Sequence, residues 1–461
     1  MVEKLLNIFR IPDLRKRILF TLAMLAVYRL GGHIPTPGIN ADKLAQFFES
    51  NRGSFLGFVD LFSGGQLRRL TIFALGIMPY ITASIILQLL TVVYEPLAKL
   101  QKEGELGRKK ITQWTRYITV ILSAVQSLGI AYGLQKQGDF VLTPGLGFVL
   151  MTMLTLTTGS AFIMWLGEQI TERGVGNGMS LLIFAGIVVG LPRGVLDLVD
   201  KAKNGAWGVL TFPLMIGLIV FMIAVVGFIV YVERCERRLP VQYAKRVVGR
   251  KVMGGQSTHL PLRVNAGGVM PVIFASSILT LPQTIGYGLR NQRYVGDLIR
   301  WLGWGEPLYT LLYAVGIIFF AYFYVSIVFN PNEVADNMRK YGGFIPGIRP
   351  GKRTADFINE VLTRITLVGG LYLIIISFIP EWMIAGIRLN HLFLVGKYFE
   401  AMPNWVLNGL GVNFYFGGTS LLIVVGVAMD TVTQIEAQLI MRHYDGFTQR
   451  SGRIRGRSNW S

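Results

Sequence analysis

The chain has 461 residues, of which 52% are hydrophobic and only 15% charged, and its formal net charge is +19. Soluble chains carry about 25% charged residues, and a soluble chain this long divides into several cores joined by polar linkers. Both are excluded by apolar runs of roughly 20 residues, the length that crosses a bilayer core of about 30 Å, recurring along the whole sequence. In lipid the backbone must satisfy its own hydrogen bonds, so the runs predict helices and an all-α polytopic membrane protein.

The first run, 18–34, follows Arg10, Arg15, Lys16 and Arg17 and ends at GGHIPTPG with no small-x-small cleavage site, so it reads as a retained span and not a cleaved leader. The stretch VDLFSGGQLRRLTIF, 59–73, is too short and too polar to span. Gly64 and Gly65 break it, and Arg68 and Arg69 forbid placement in lipid. It is either an external loop or a partly inserted segment lining a cavity. Further spans are predicted over 73–94, 115–134, 147–167, 179–198, 209–232, 267–286, 308–329, 362–380 and 417–438. GVGNGMS, 174–180, lacks a lysine and reads as a turn entering the fifth span. The segments 233–265 and 330–361 are long, basic and punctuated by proline and glycine. PGIRPGKRT, 346–354, fails as a phosphate loop: Pro346 stands where the first glycine belongs, and Arg353 where Ser or Thr belongs. The connector 381–416 is rich in aromatic and aliphatic residues and suggests an interfacial helix.

If the N-terminus is cytoplasmic, 31 of the 45 Lys and Arg fall on that side, with both termini inside. Topology therefore accounts for most of the positive charge, although such a face also suits nucleic acid. The single cysteine, Cys235, excludes an internal disulfide. The four histidines are scattered, so neither a metal nor a nucleotide cofactor is expected. The middles of spans two to nine hold no Asp, Glu, Lys or Arg, which argues against an ion-coupled transporter. No nucleophile–base pair or paired carboxylates lie within a span, which argues against an enzyme.

One phrase is written twice. GIMPYITASII, 76–86, recurs as GVMPVIFASSI, 268–278, matching at seven of eleven positions. The copies lie in spans two and seven. Five spans is an odd number, so the second copy enters from the opposite side. The sequence thus predicts two inverted five-helix halves around a central pore, 1–200 and 201–461.

These residues also carry a resemblance. IPTPGIN at 34–40, LFSGGQLRRLTIFALGIMPYITASII at 61–86, ITERGVGNGMSLLIFAGIV at 170–188, RRLPVQYAKR at 237–246, THLPLRVNAGGVMPVIFASSI at 258–278, YGGFIPGIRPG at 341–351 and FGGTSLLIVVGVAMD at 416–430 follow one another as in the SecY family, which the chain resembles over almost its whole length. The resemblance implies a protein-conducting channel of the bacterial cytoplasmic membrane, with ten helices, a plug at about 59–73 and a lateral gate. It implies the partners SecE, SecG, the SecA ATPase, the ribosome, signal sequences and membrane lipid. It maps a pore ring onto Ile77, Ile81, Ile183, Ile187, Ile273 and Ile423, where the pairs Ile77/Ile81 and Ile183/Ile187 share a helix face. It maps the plug onto Phe62, Ser63, Gly64, Gly65, Arg68 and Arg69. The gate falls on Thr82, Gln88, Thr280 and Gln283, whose polar groups either pair across the seam of spans two and seven or satisfy their own helix backbones. Motor or ribosome contacts fall on Arg250, Lys251, Arg349, Lys352 and Arg353. In this chain the external connector is longer than the family pattern suggests.

Overall fold

Hydrocarbon leaves backbone groups no partner but their own helix, and every predicted span does lie on a helix. The structure, a computed structural model, describes residues 11–50, 60, 63–136, 140–203, 211–243, 246–248, 251–253, 257–286, 301–303, 306–385 and 418–448. In chain order the helices are α1 (Pro12–Gly31), α2 (Ala41–Ser50), α3 (Met78–Val93), α4 (Glu95–Lys102), α5 (Glu105–Lys136), α6 (Leu146–Arg173), α7 (Gly178–Lys203) and α8 (Thr211–Arg234). After them come strands β1 (Glu236–Tyr243), β2 (Arg246–Val248), β3 (Lys251–Met253) and β4 (Ser257–Arg263). Then follow α9 (Met270–Gly286), α10 (Pro307–Val328), α11 (Pro331–Lys340), β5 (Gly343–Phe344), α12 (Lys352–Ala385) and α13 (Gly418–Thr448).

Among the described residues, seven helices are long and apolar enough to cross a membrane. The pair α3 and α4 qualifies together but is bent by 106°. The shorter α9 is also apolar. Helix α1 opens on Asp13, Arg15, Lys16 and Arg17, which dilute its hydropathy. Only the first residues of the expected connector, 381–385, are described, as the end of α12; its remainder lies outside the described residues.

Two predicted spans start late for one reason. Residues 73–77 form turns, and α3 begins at Met78 with a proline in its first turn. Helix α9 begins at Met270, the matching position of the repeat. Two residues before each start stands a glycine at φ +57°, Gly76 and Gly268. That left-handed backbone costs a residue with a Cβ but not glycine. The repeated phrase is therefore a repeated device: a left-handed glycine, one residue, then Met-Pro opening a helix.

One apolar cluster takes residues from α1, α3 and α6 to α10, and from α12 and α13. A second gathers Leu44, Phe48, Leu67, Leu70, Ile130 and Leu156 around the segment between α2 and α3. Close approach fixes part of this packing. Gly159 of α6 sits so near the turn before α3 that an added Cβ would overlap the carbonyl of Ile72.

The two basic polar segments are not independent loops. β1 and β4 pair antiparallel from Glu236↔Arg263 to Gln242↔Ser257, and β5 joins the other edge of β1 at Gln242↔Phe344 and Tyr243↔Gly343. The order is β4-β1-β5, with β2 and β3 as a separate hairpin. Leu239 and Val241 alternate inward and share a core with Leu262, Ile345, Ile358 and Leu362. Proline is tolerated here because β4 is an edge strand and β5 reaches β1 only beyond Pro240.

The Gly159 contact is testable. Gly159→Ala should destabilise the protein by about 1–3 kcal/mol, since overpacking against backbone cannot relax by a rotamer change. Gly227→Ala on α8, where a Cβ would meet nothing within 4 Å, should be neutral or slightly stabilising. Thermal unfolding in detergent compares the two; equal midpoints would contradict the α6 packing.

Candidate functional site

The six residues assigned to the ring come from four helices. Ile77 and Ile81 at the start of α3, Ile183 and Ile187 on α7, Ile273 on α9 and Ile423 on α13 are all under 9% exposed and all belong to the same apolar cluster. Ile81 and Ile273 stand at equal distances into their helices, and each donates its amide to the residue four back, Ile77 and Val269. Branched aliphatic side chains offer water no polar atom, so a constriction lined by them excludes water without a specific ligand.

Against this cluster lies the segment the sequence left between loop and insertion. Gly64, at φ +72°, approaches α7 so closely that a Cβ would sit 2.8 Å from the Cα and carbonyl of Gly186, one residue before Ile187. Asp60 organises the turn. Its carbonyl accepts from Gly65 N at 2.9 Å and from the Ser63 hydroxyl at 3.0 Å, while its carboxylate accepts from Arg68 N at 2.9 Å. Ser63 in turn accepts from Leu67 N at 3.3 Å. Beyond the turn, Thr36 N donates to Leu70 O and Ile72 N to Ile34 O, fastening the segment to the chain after α1. Ser63 is buried, Arg68 half-buried and Arg69 exposed; Phe62 lies outside the described residues. Burial pushes the Asp60 carboxyl above the ordinary carboxylate range, against the opposing pull of the Arg68 amide and charge.

Helices α3 and α9 pack directly on each other, with α5 covering both. Met78 Sδ lies 4.0 Å from the Ser277 hydroxyl. A small cavity at this seam is lined by Leu67, Met78, Thr82, Gln126, Ser277 and Thr280, among others. Thr82 donates to Met78 O, Gln88 to the Ser84 hydroxyl, Thr280 to Ser276 O and Gln283 to Leu302 O. In an apolar setting a hydroxyl is most readily satisfied by its own helix carbonyl one turn back. Direct packing of α3 on α9 contributes to the seam. Sequence reasoning missed Gln126 and Ser277; the available signal was a glutamine in mid-run on α5, beside Ser123 and Ser127.

The basic residues sit apart from the ring. Arg349 is exposed on the turn between β5 and α12, its carbonyl accepting from the Thr354 hydroxyl at 3.0 Å. Lys352 and Arg353 are exposed at the start of α12. Lys251 belongs to β3, and Arg250 lies outside the described residues.

The SecY family model matches residues 71–432. The chain is 48% identical over 439 residues to the protein translocase subunit SecY of Escherichia coli K12, covering 94% of this chain and 93% of that protein. It is 47% identical over 448 residues to the same subunit of Vibrio cholerae, covering 96% and 95%. Among solved structures, its fold is similar to one described as a protein conducting channel, with TM-score 0.62, 18% identity and coverage of 92% and 93%. It is also similar to Sec61 in a canine ribosome–channel complex, with TM-score 0.57, 17% identity and the same coverage.

Two expectations follow from the geometry. Ile81→Asn or Ile423→Asn buries an amide in the closure at a cost of about 1–3 kcal/mol, which favours an open state roughly 5- to 150-fold. Resting ion conductance in vesicles should rise accordingly, and unchanged conductance in both well-expressed variants would remove these residues from the seal. The second expectation concerns Asp60. A carboxyl whose pKa is raised when docked takes up a proton on docking, so docking is favoured at low pH and weakens as pH rises through the raised value. Resting conductance should increase with pH over that range. Asp60→Asn, which still offers an oxygen to Arg68 N, should abolish the dependence; a pH profile unaltered by this change would contradict it.

Proposed function

The chain belongs to the SecY family, and from that premise we propose that it is the pore-forming subunit of a protein-conducting channel. It passes unfolded secretory polypeptides across a membrane and releases apolar segments sideways into lipid. The observation that carries this reading is the burial of six isoleucines, from the start of α3 and from α7, α9 and α13, in one apolar cluster, with a separately anchored segment pressed against α7. Such a closure passes a chain by parting and re-forming around it, and needs no chemistry of its own. The protein on this reading is not an enzyme.

The residues 63–69 act as a plug, and α3 and α9 flank the lateral gate, with Thr82, Gln88, Thr280 and Gln283 on the gate helices. The halves 1–200 and 201–461 move relative to each other at that seam. The charge bias supports both termini and the β4-β1-β5 sheet on the cytoplasmic side of a bacterial inner membrane. There the exposed Arg349, Lys352 and Arg353, with Arg250 and Lys251, offer contacts to the SecA ATPase and to ribosomal RNA phosphates. SecE and SecG complete the channel, whose other ligands are signal sequences and lipid.

The direct test is site-specific crosslinking of a stalled secretory precursor to single cysteines, in a Cys235→Ser background. Adducts should concentrate at Ile81 and Ile273 and be sparse at the outward-facing Val92 and Leu311; the reverse distribution would sink the reading. For the motor contact, Arg349→Glu should reduce SecA-driven transport at least about tenfold while leaving assembly intact, because the residue sits on an exposed turn. Normal transport kinetics in reconstituted vesicles would remove Arg349 from that role.

A further inference from the structure

The joint between the sheet and α9 contains a buried polar clamp. β1 starts one residue after α8 ends, and β4 runs back until Arg263 lies opposite Glu236. Residues 264–269 then connect β4 to α9. Two are glycines, and Gly268 is left-handed. A linker of that composition, left to itself, absorbs movement.

Asn265 stiffens it. The side chain is buried, 6% exposed. Its Nδ2 donates to Glu233 Oε1 at 2.6 Å and to Gly268 O at 3.1 Å. One amide thus spans the glycines and ties the last turn of α8 to the turn that opens α9. The surrounding backbone is held as well. Val264 N donates to Cys235 O at 3.0 Å, and Gly268 N to Asn265 O at 3.2 Å. A Cβ on Gly369 of α12 would lie 2.7 Å from Val264 O, and one on Gly426 of α13 equally near Val269. A rigid joint at this position has the antiparallel sheet on one side and the helix bearing Ile273 and Ser277 on the other.

We infer that Asn265 is a positioning residue that couples the β4-β1-β5 sheet to the gate helix α9, so that displacement of the sheet by a docked motor reaches the ring and the seam. The inference rests on the reading of the sheet as a docking platform. Coupling of this kind needs a stiff element whose position both ends feel. The clamp supplies it where the glycines would not.

The informative variant is Asn265→Asp, in vesicles carrying the whole complex. It sets a second carboxyl at hydrogen-bonding distance from Glu233. Such a pair shares one proton at low pH and repels when both members ionise. Arg263 of β4, Asp430 of α13 and Tyr372 of α12 are the other titratable groups acting on Glu233 or acted on by it among the described residues. All three are present in the parent protein too, so a pH profile that differs from the parent's reports the new pair. Motor binding should match the parent. Motor-driven transport should fall roughly two- to thirty-fold at about pH 8 and recover at about pH 6 in the same vesicles, a reversal that misfolding would not give. Disulfide formation between Met78→Cys and Ser277→Cys, in a Cys235→Ser background, should become insensitive to the motor at the higher pH alone. Transport and crosslinking that follow the parent's pH profile overturn the inference, and so does loss of motor binding. The docking reading fails separately, on transport that is indifferent to Arg349→Glu in the same assay.

Discussion

Everything in this molecule depends on a closure that must be dry and yet able to part. Water and ions cross a membrane wherever polar groups line a path, so a passage for a polypeptide has to be shut by side chains that offer water nothing. On the proposed reading Ile77, Ile81, Ile183, Ile187, Ile273 and Ile423, which share one buried apolar cluster, do this by packing. Packing is short-ranged, so the closure holds only while four helices keep their places. The structure meets that demand by close approach, through the backbones of Gly64 against Gly186 and Gly159 against Ile72, and the Val269 side chain against Gly426. These contacts leave no slack for a Cβ, which makes the arrangement of the helices well defined.

The repeat explains how one closure is built from two sources. Gly76 and Gly268 share a φ of +57°, and each is followed by a helix that opens on Met-Pro and places an isoleucine at its fourth position. What precedes each glycine differs. Before Gly76 comes the Asp60-capped segment held in its own apolar cluster. Before Gly268 comes the sheet, joined through Asn265. The two helices thus start from different elements, one pressed on α7 beside Ile187 and the other on the sheet that β5 joins ahead of Arg349. On the proposed reading, that arrangement lets a substrate act from one side and a motor from the other.

Much of this was legible in the sequence, for a physical reason. Hydrocarbon imposes helices on every long apolar run, so each of the ten runs lies on a helix although their boundaries moved. The starts of α3 and α9 were misjudged because hydropathy does not register a glycine's φ; residues 73–77 are as apolar as the helix they precede. The sheet was hidden by Pro240 and Pro261, which speak against a strand until one sees that β4 is an edge and β5 stops short. Residue type alone leaves the gate hydroxyls two options, a partner across the seam or a carbonyl of their own helix, and Thr82 and Thr280 each donate to a carbonyl one turn back. The ring itself could not have been singled out among so many isoleucines by spacing alone. It came from the resemblance to the SecY family; all six residues are buried, as many other apolar residues of the same cluster are.

The central claim is that an apolar closure shuts a path which a polypeptide holds open. Conductance across a planar bilayer containing the purified complex addresses it most directly. The account predicts no measurable ion current at rest, a large current when a translocating chain is arrested in the channel, and silence again once the chain is released. A steady current without polypeptide, or none with a chain arrested, would contradict it.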